Sequence, residues 1–509
     1  MNTLRSLHSL RSASSILALL LSVGCGASYS YSGAPMSEAY APPPAPPAEP
    51  HPSGEAYADY GVNPFVDASQ DKLSTFAIDV DTASYSISRR KLNEGALPPK
   101  DAVRVEEFVN SFDYGYAAPT EGPFAVHMDA APSPYRASSL LLRVGLQTKR
   151  PIARERKPVH LVYLVDTSGS MQSEDKIGLI KESLRMLTAQ LQQGDTVALC
   201  TYAGSTREVL APTGVNERGK ILAAIDELAA GGGTAMASGM ETAYALASKT
   251  KKPGEISRVI VLSDGDANIG ASSHEEILRG IEKYKEQGIT LSTVGFGNGN
   301  YKDTMMEQLA DEGDGNYTYI DSREAAHKAF VENLGALLEV VAKDVKVQVE
   351  FDPAVVKRYR LVGYENRDVA DKDFRNDKVD GGEVGAGHSV TAVYELELTD
   401  AAKGKSPAAV SLRWKSPEGG QAEEKRFEMA ATSIVTDFAD APRSFRLATA
   451  IVGFAETLRQ SPHAGGLDQA LSIAERAKVA ESRDEAELIT LMKRAIDLGA
   501  RRKPLVAAQ

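Results

Sequence analysis

The sequence predicts a protein of the α/β class. A mainly parallel central sheet, covered by helices on both faces, is flanked by a β-sandwich-like domain and followed by a C-terminal helical segment. Three observations carry that expectation. From His160 onward, short apolar runs such as Leu161-Val162-Tyr163-Leu164-Val165 alternate with amphipathic stretches of helical period, the pattern of strands buried on both faces. On either side of this stretch strand patterns of period two or unbroken apolar runs return, as in Val345-Lys346-Val347-Gln348-Val349-Glu350-Phe351. After Arg443, apolar residues recur at helical spacing in 445–458 and 488–498, with a break at Ser461-Pro462-His463-Ala464-Gly465-Gly466.

Composition bounds the function. A chain of 509 residues is several domains long, and 42% apolar with 25% charged residues excludes a polytopic membrane protein, a collagen and wholesale disorder. The formal charge of -12 leaves no basic surplus to release phosphate counterions, so no nucleic-acid partner is expected. Two cysteines exclude a disulfide-rich scaffold, and Cys200, inside an apolar strand-like run, reads as a buried structural thiol.

Residues 1–24 read as an export signal, because Arg5 and Arg11 accompany an apolar run, 16–21, too short to span about 30 Å of hydrocarbon. The ending Leu21-Ser22-Val23-Gly24-Cys25 resembles a bacterial lipobox, with Ser22 where an aliphatic residue is usual; ordinary signal-peptidase cleavage nearby is the alternative. The resemblance implies that Cys25 is lipidated and anchors the chain to a membrane of the bacterial envelope. Gly26, standing where an inner-membrane retention aspartate could have been, favours the outer membrane. Residues 25–63, centred on Ala41-Pro42-Pro43-Pro44-Ala45-Pro46-Pro47, form a proline-rich tether.

A helical and β region follows at 64–155. Asp81 or Thr82 can cap a helix reaching Leu92, Asp101 can cap a second through Phe112, and 124–128 and 140–146 read as strands. Asp79-Val80-Asp81-Thr82-Ala83-Ser84 superficially resembles a metal loop, which helix capping explains more simply. The α/β unit, 156–343, carries strands at 161–165, 196–202, 258–262, 290–296 and 316–320, with helices at 176–191, 220–228, 236–248, 274–287, 302–310 and 325–338. A β-domain at 344–436 has strands at 345–351, 390–398, 409–414 and 426–429, and 437–509 is helical. Because strands stand on both sides of the α/β unit, it is expected to be inserted into one sandwich; two separate small β units are the alternative.

Chemistry concentrates on three loops. Asp166-Thr167-Ser168-Gly169-Ser170 follows the strand 161–165, at the carboxyl end where open parallel sheets place ligands. Its two serine hydroxyls can face one cation while the aspartate compensates charge. Gly231-Gly232-Gly233-Thr234 brings a third hydroxyl on a closely approaching backbone. Leu262-Ser263-Asp264-Gly265-Asp266 ends another apolar strand with a carboxylate. Asp166, Ser168, Ser170, Thr234 and Asp264 are thus hard oxygen donors, suited to Mg²⁺ or Mn²⁺ and poorly to zinc.

Taken in this order and strand context, the loops resemble the metal-ion-dependent adhesion site (MIDAS) of the von Willebrand factor A (VWA) domain, a Rossmann-like fold. The resemblance implies that Ser168, Ser170 and Thr234 contact the metal, and that Asp166 and Asp264 act directly or through water. It also implies an open position for an Asp or Glu of a protein ligand. The stretch from Leu73-Ser74-Thr75-Phe76-Ala77-Ile78-Asp79-Val80-Asp81 to Val103-Arg104-Val105-Glu106-Glu107, with Gly363-Tyr364-Glu365-Asn366-Arg367 further on, is similar to bacterial YfbK-type lipoproteins, which end in a domain of unknown function.

The expected function is therefore non-enzymatic: an envelope adhesion or scaffold protein that binds a carboxylate-bearing protein through a divalent cation. A metal-dependent envelope hydrolase is the alternative. Against it, His274-Glu275-Glu276-Ile277-Leu278 lacks the second histidine of a metallopeptidase, and no Gly-x-Ser-x-Gly elbow occurs. A calcium loop at Asp264, Asp266, Asn268 and Glu275 is disfavoured by Gly270, one position late, and by the strand that precedes it.

Overall fold

The computed structural model describes residues 57–150, 156–233, 235–265, 271–297, 303–379, 381–402 and 404–500. The expected signal, Cys25, most of the tether and Thr234 lie outside them. The N-terminal flank comprises β1 (Val66–Asp67), β2 (Leu73–Ala77), α1 (Ala83–Asn93), α2 (Val105–Asn110), β3 (Phe124–Pro132) and β4 (Ser139–Thr148). The α/β unit follows as β5 (Val159–Asp166), α3 (Leu179–Gln190), β6 (Thr196–Tyr202), β7 (Thr206–Gly214), α4 (Arg218–Asp226), α5 (Met236–Thr250), β8 (Ile256–Ser263), α6 (Ala271–Lys285), β9 (Ile289–Phe296), α7 (Asp303–Glu312), β10 (Tyr317–Ile320), α8 (Arg323–His327) and α9 (Leu334–Leu338). The C-terminal flank comprises β11 (Val340–Phe351), β12 (Val356–Val362), β13 (Gly382–Gly385), β14 (Ser389–Leu398), β15 (Ala408–Lys415), β16 (Glu423–Glu428), α10 (Arg443–Leu458), α11 (Leu467–Ala477) and α12 (Arg483–Asp497).

The α/β sheet runs β10-β9-β8-β5-β6-β7, parallel except for β7. Its central strands are buried along nearly their whole length, which is why they read as unbroken apolar runs. Leu161, Tyr163 and Val165 of β5 face one helical layer, and Val162 and Leu164 face the other. Each such side chain contributes about 1.5–3 kcal/mol of burial. The antiparallel edge strand β7 was not anticipated, because it is partly exposed and carries Pro212, a residue that sheets confine to edges.

Strands from both flanks share both sheets of the sandwich, so the α/β unit is inserted into it. One sheet runs β1-β12-β14-β4-β3; in the other, β11 pairs with β15 on one side and with β13 and β2 on the other. Leu142, Val144 and Leu146 of β4 meet Val347, Val349 and Phe351 of β11 between the sheets. Beneath the first sheet, Leu141 and Val393 pack on α2 and on α10 to α12, forming a third layer. The two ends of the insertion converge, since Lys149 O accepts Gly387 N–H (2.9 Å) and Glu339 O accepts Ala386 N–H (2.8 Å), both from the turn between β13 and β14.

Three local expectations need correction. Neither Asp81 nor Thr82 caps α1: Thr82 occupies the capping position without a side-chain bond, and Asp81 instead accepts Tyr317 N–H (3.0 Å) of β10. Asp101 lies in a separate 3-10 turn, because Val103 and Arg104 are extended before α2. The helix expected at 325–338 is broken by a π-helical turn, Lys328–Glu332.

The loop after β12 ties the parts together. Gly363 and Tyr364 adopt φ of 84° and 64°, and a Cβ on Gly363 would fall 2.5 Å from Glu106 Oε2 of α2, so glycine permits that approach. Tyr364 N–H donates to the same Glu106 oxygen (2.9 Å). Glu365 accepts from Arg459 (3.0 Å), just after α10, and Asn366 donates to Glu307 (3.0 Å) of α7. Arg367 donates to Asp311 (2.9 Å), Asp81 (3.2 Å) and Glu307 (3.3 Å), and lies 3.6 Å from Asp79.

Candidate metal centre

β5 delivers Asp166 to the carboxyl end of the sheet, beside the end of β8. Asp166 is fully buried. One of its oxygens accepts Ser168 N–H (2.9 Å) and the other accepts the Ser263 hydroxyl (2.9 Å), so the carboxylate orients its own loop and the end of β8 together. Burial raises its pKa above the ordinary carboxylate value; the bonds from Ser168 and Ser263 oppose that rise and the Asp264 charge adds to it.

From this buried carboxylate the loop climbs to the surface. Ser168 is buried, Ser170 is exposed on the 3-10 turn Gly169–Gln172, and their hydroxyl oxygens lie 3.0 Å apart. The glycine loop docks against it, with Gly231 N–H on Thr167 O (2.7 Å) and Gly169 N–H on Gly232 O (3.0 Å). Gly232 has φ of 107°, a conformation that glycine adopts without steric cost. Thr234, two residues on, is outside the described residues. Asp264 is buried at the end of β8. The structure thus brings Asp166, Ser168, Ser170 and Asp264 to one end of one sheet.

The donor set fits a small hard cation. Neighbouring ligands at right angles about an ion with bonds of about 2.1 Å lie about 3.0 Å apart, and the two serine oxygens have that separation. Among the described residues there is no cluster of three or more His, Cys, Asp or Glu able to hold a metal; this site differs in relying on hydroxyls.

Sequence reasoning missed one resident. Lys176, expected to start a helix, lies on a π-helical turn, Glu174–Gly178, and turns its ammonium inward to Asp264 Oδ2 (2.9 Å) and Ser170 O (3.0 Å). The hint available was charge balance: two carboxylates converge in a buried place, and a cation has to compensate them. Cys200 of β6 is buried and unpaired, and burial pushes its thiol up to about 12, far from a reactive thiolate.

Comparison with known proteins agrees with this architecture. Residues 160–333 match the family model for the von Willebrand factor type A domain, 336–498 that for the C-terminal region of uncharacterized protein YfbK, and 51–143 one described as von Willebrand factor. The chain is 38% identical over 440 residues to uncharacterized protein YfbK of Escherichia coli (strain K12), covering 81% of this chain and 76% of that protein. It is 25% identical over 232 residues to uncharacterized protein sll0103 of Synechocystis, covering 45% of this chain and 54% of the relative. A solved structure, a von Willebrand factor type A protein from Catenulispora acidiphila, aligns with a TM-score of 0.44 at 16% identity, covering 73% of this chain and 89% of that one. The chain belongs to the YfbK family, with a von Willebrand factor type A domain set between the strands of its sandwich.

Proposed function

We propose that this protein is a non-enzymatic adhesion or scaffold protein of the bacterial envelope, which captures a protein ligand through an Asp or Glu carboxylate. Asp166, Ser168, Ser170, Thr234 and Asp264 would hold Mg²⁺ or Mn²⁺ between them. The observation that carries the reading is the pair of serine hydroxyls 3.0 Å apart, rising from a buried aspartate at the carboxyl end of a central strand. A bound divalent cation supplies an electrophilic position that an incoming carboxylate can fill.

The chain's own residues account for the rest. Neutral hydroxyls from Ser168, Ser170 and Thr234 would donate oxygen without cancelling charge, so the centre keeps its attraction for an anion. Asp166 fixes the loop through Ser168 N–H and Ser263, and holding donors in place before binding limits the ordering cost. Ser170, at the surface, marks the side from which a ligand approaches. Attachment to the outer membrane through a lipidated Cys25 completes the proposal, with residues 26–63 as the tether.

Affinity capture from envelope extract tests it. Wild-type protein should retain a partner in Mg²⁺ and release it in EDTA, and Asp166→Ala should retain none. A partner held equally in all three conditions would rule out cation-mediated capture.

A further inference from the structure

Lys176 places an ammonium where the proposed centre calls for a cation. Its Nζ lies 2.9 Å from Asp264 Oδ2 and 3.0 Å from Ser170 O, so it contacts a carboxylate and the backbone of two different metal loops. Lys176 is only 9% exposed. The fold makes room for it: the stem crosses Gly297, where a Cβ would fall 2.3 Å from Lys176 Cγ and 2.4 Å from Cε. Gly297 is itself fixed, since its carbonyl accepts Arg90 (3.1 Å) of α1 and the Tyr319 hydroxyl of β10.

We propose that Lys176 is a built-in surrogate cation, which neutralises Asp264 in the cation-free centre and must withdraw before Mg²⁺ or Mn²⁺ can use that carboxylate. The inference rests on the metal-site reading above and adds its regulation. Two carboxylates balance one divalent ion, so the displaced ammonium leaves one positive charge over at the mouth of the site. The competition weakens cation binding, and the surplus charge favours an anionic ligand once the cation is in place. Lysine suits this role because its flexible stem can swing a single point charge out of contact.

Two measurements on the full chain test the proposal. In Mn²⁺ calorimetry, Lys176→Met should bind roughly tenfold more tightly or better than wild type, because no ammonium then has to be displaced from Asp264. Equal affinities would overturn the surrogate while leaving the metal site standing, whereas no binding by either protein would sink the metal site and the surrogate with it. The second uses wild-type protein, so folding of a variant is not at issue. Reductive dimethylation read by peptide mass spectrometry should find Lys176 protected without cation and labelled in saturating Mg²⁺, with exposed Lys220 labelled in both. Lys176 protection unchanged by bound Mg²⁺ would overturn displacement.

Discussion

The loop Asp166 to Ser170 and the loop Gly363 to Arg367 both follow the end of a strand and both gather charge, yet they direct their polar groups oppositely. Around Arg367 and Arg104, five carboxylates (Asp79, Asp81, Glu107, Glu307 and Asp311) meet two guanidiniums at the junction of the flanks with α7. A planar guanidinium with five donors, carried on a loop with positive φ at Gly363 and Tyr364, reaches carboxylates of the N-terminal flank and of α7 together. In the loop after β5 two hydroxyls face each other, the outer one at the surface, and Lys176 reaches in to compensate Asp264. Arginine bridges several carboxylates across elements at once, whereas the lysine sets a single point charge on one carboxylate, the place that the proposed cation would take.

The largest effect expected from this contrast is on folding. Arg367→Ala leaves buried carboxylates uncompensated and should destabilise the protein by about 3–5 kcal/mol in denaturant unfolding. The double variant Ser168→Ala with Ser170→Ala, unfolded without cation, should lose no more than about 1 kcal/mol. Similar losses for both would break the comparison.

On cation binding the order reverses. The serine double variant should weaken Mn²⁺ binding by about a hundredfold or more, since two of the proposed ligands are gone. Calorimetry that returns a wild-type affinity would move the metal away from these loops.

The smallest effect concerns pH. Burial, with Glu365 and Asp79 nearby, raises Glu106 to about 7. Above the unfolded value of about 4.3 the unfolded chain ionises this residue while the folded chain keeps its proton, so stability is lost as pH rises toward about 7. Glu106→Gln escapes that loss. The stability difference between variant and wild type should therefore shift by about 1–3 kcal/mol in favour of the variant from pH 4.5 to 7.5. Taking the difference matters, because His388, lowered to about 4 by burial, changes stability in the opposite sense as pH falls. A flat difference would mean that the junction does not hold Glu106 protonated.

Legibility in the sequence followed burial. β5, β6, β8 and β9 have both faces covered and stood out as apolar runs, whereas β7, half exposed and interrupted by Pro212, gave no period to read. β12 was missed because Lys357, Arg358 and Arg360 break its alternation; Arg358 and Arg360 pair with Glu397 and Glu395 on β14, while Arg360 also reaches Glu456. That Asp166, Ser168, Ser170 and Asp264 share one end of the sheet was legible because these residues follow strong apolar strands. Lys176 was not, since its meaning depends on Gly297, 121 positions away and visible only once the chain has folded. The same holds for Asp81, whose partners Tyr317 and Arg367 are more than 230 residues distant.

The convergence of Lys149 and Glu339 on one turn bears on the birth of the molecule. β4 leaves the ribosome with only β3 beside it, and Thr148 meets its partner His388 after another 240 residues. At about 5–20 residues per second that is a wait of about 10–50 s, during which an apolar strand lacks its main neighbour. The inserted α/β unit is complete before that partner is made. Its two ends then meet at the later-made turn between β13 and β14, and a folded insertion costs less entropy to close there than a flexible loop nearly 200 residues long. The unit that carries the proposed ligand site would then also act as the clasp that lets the sandwich close around it.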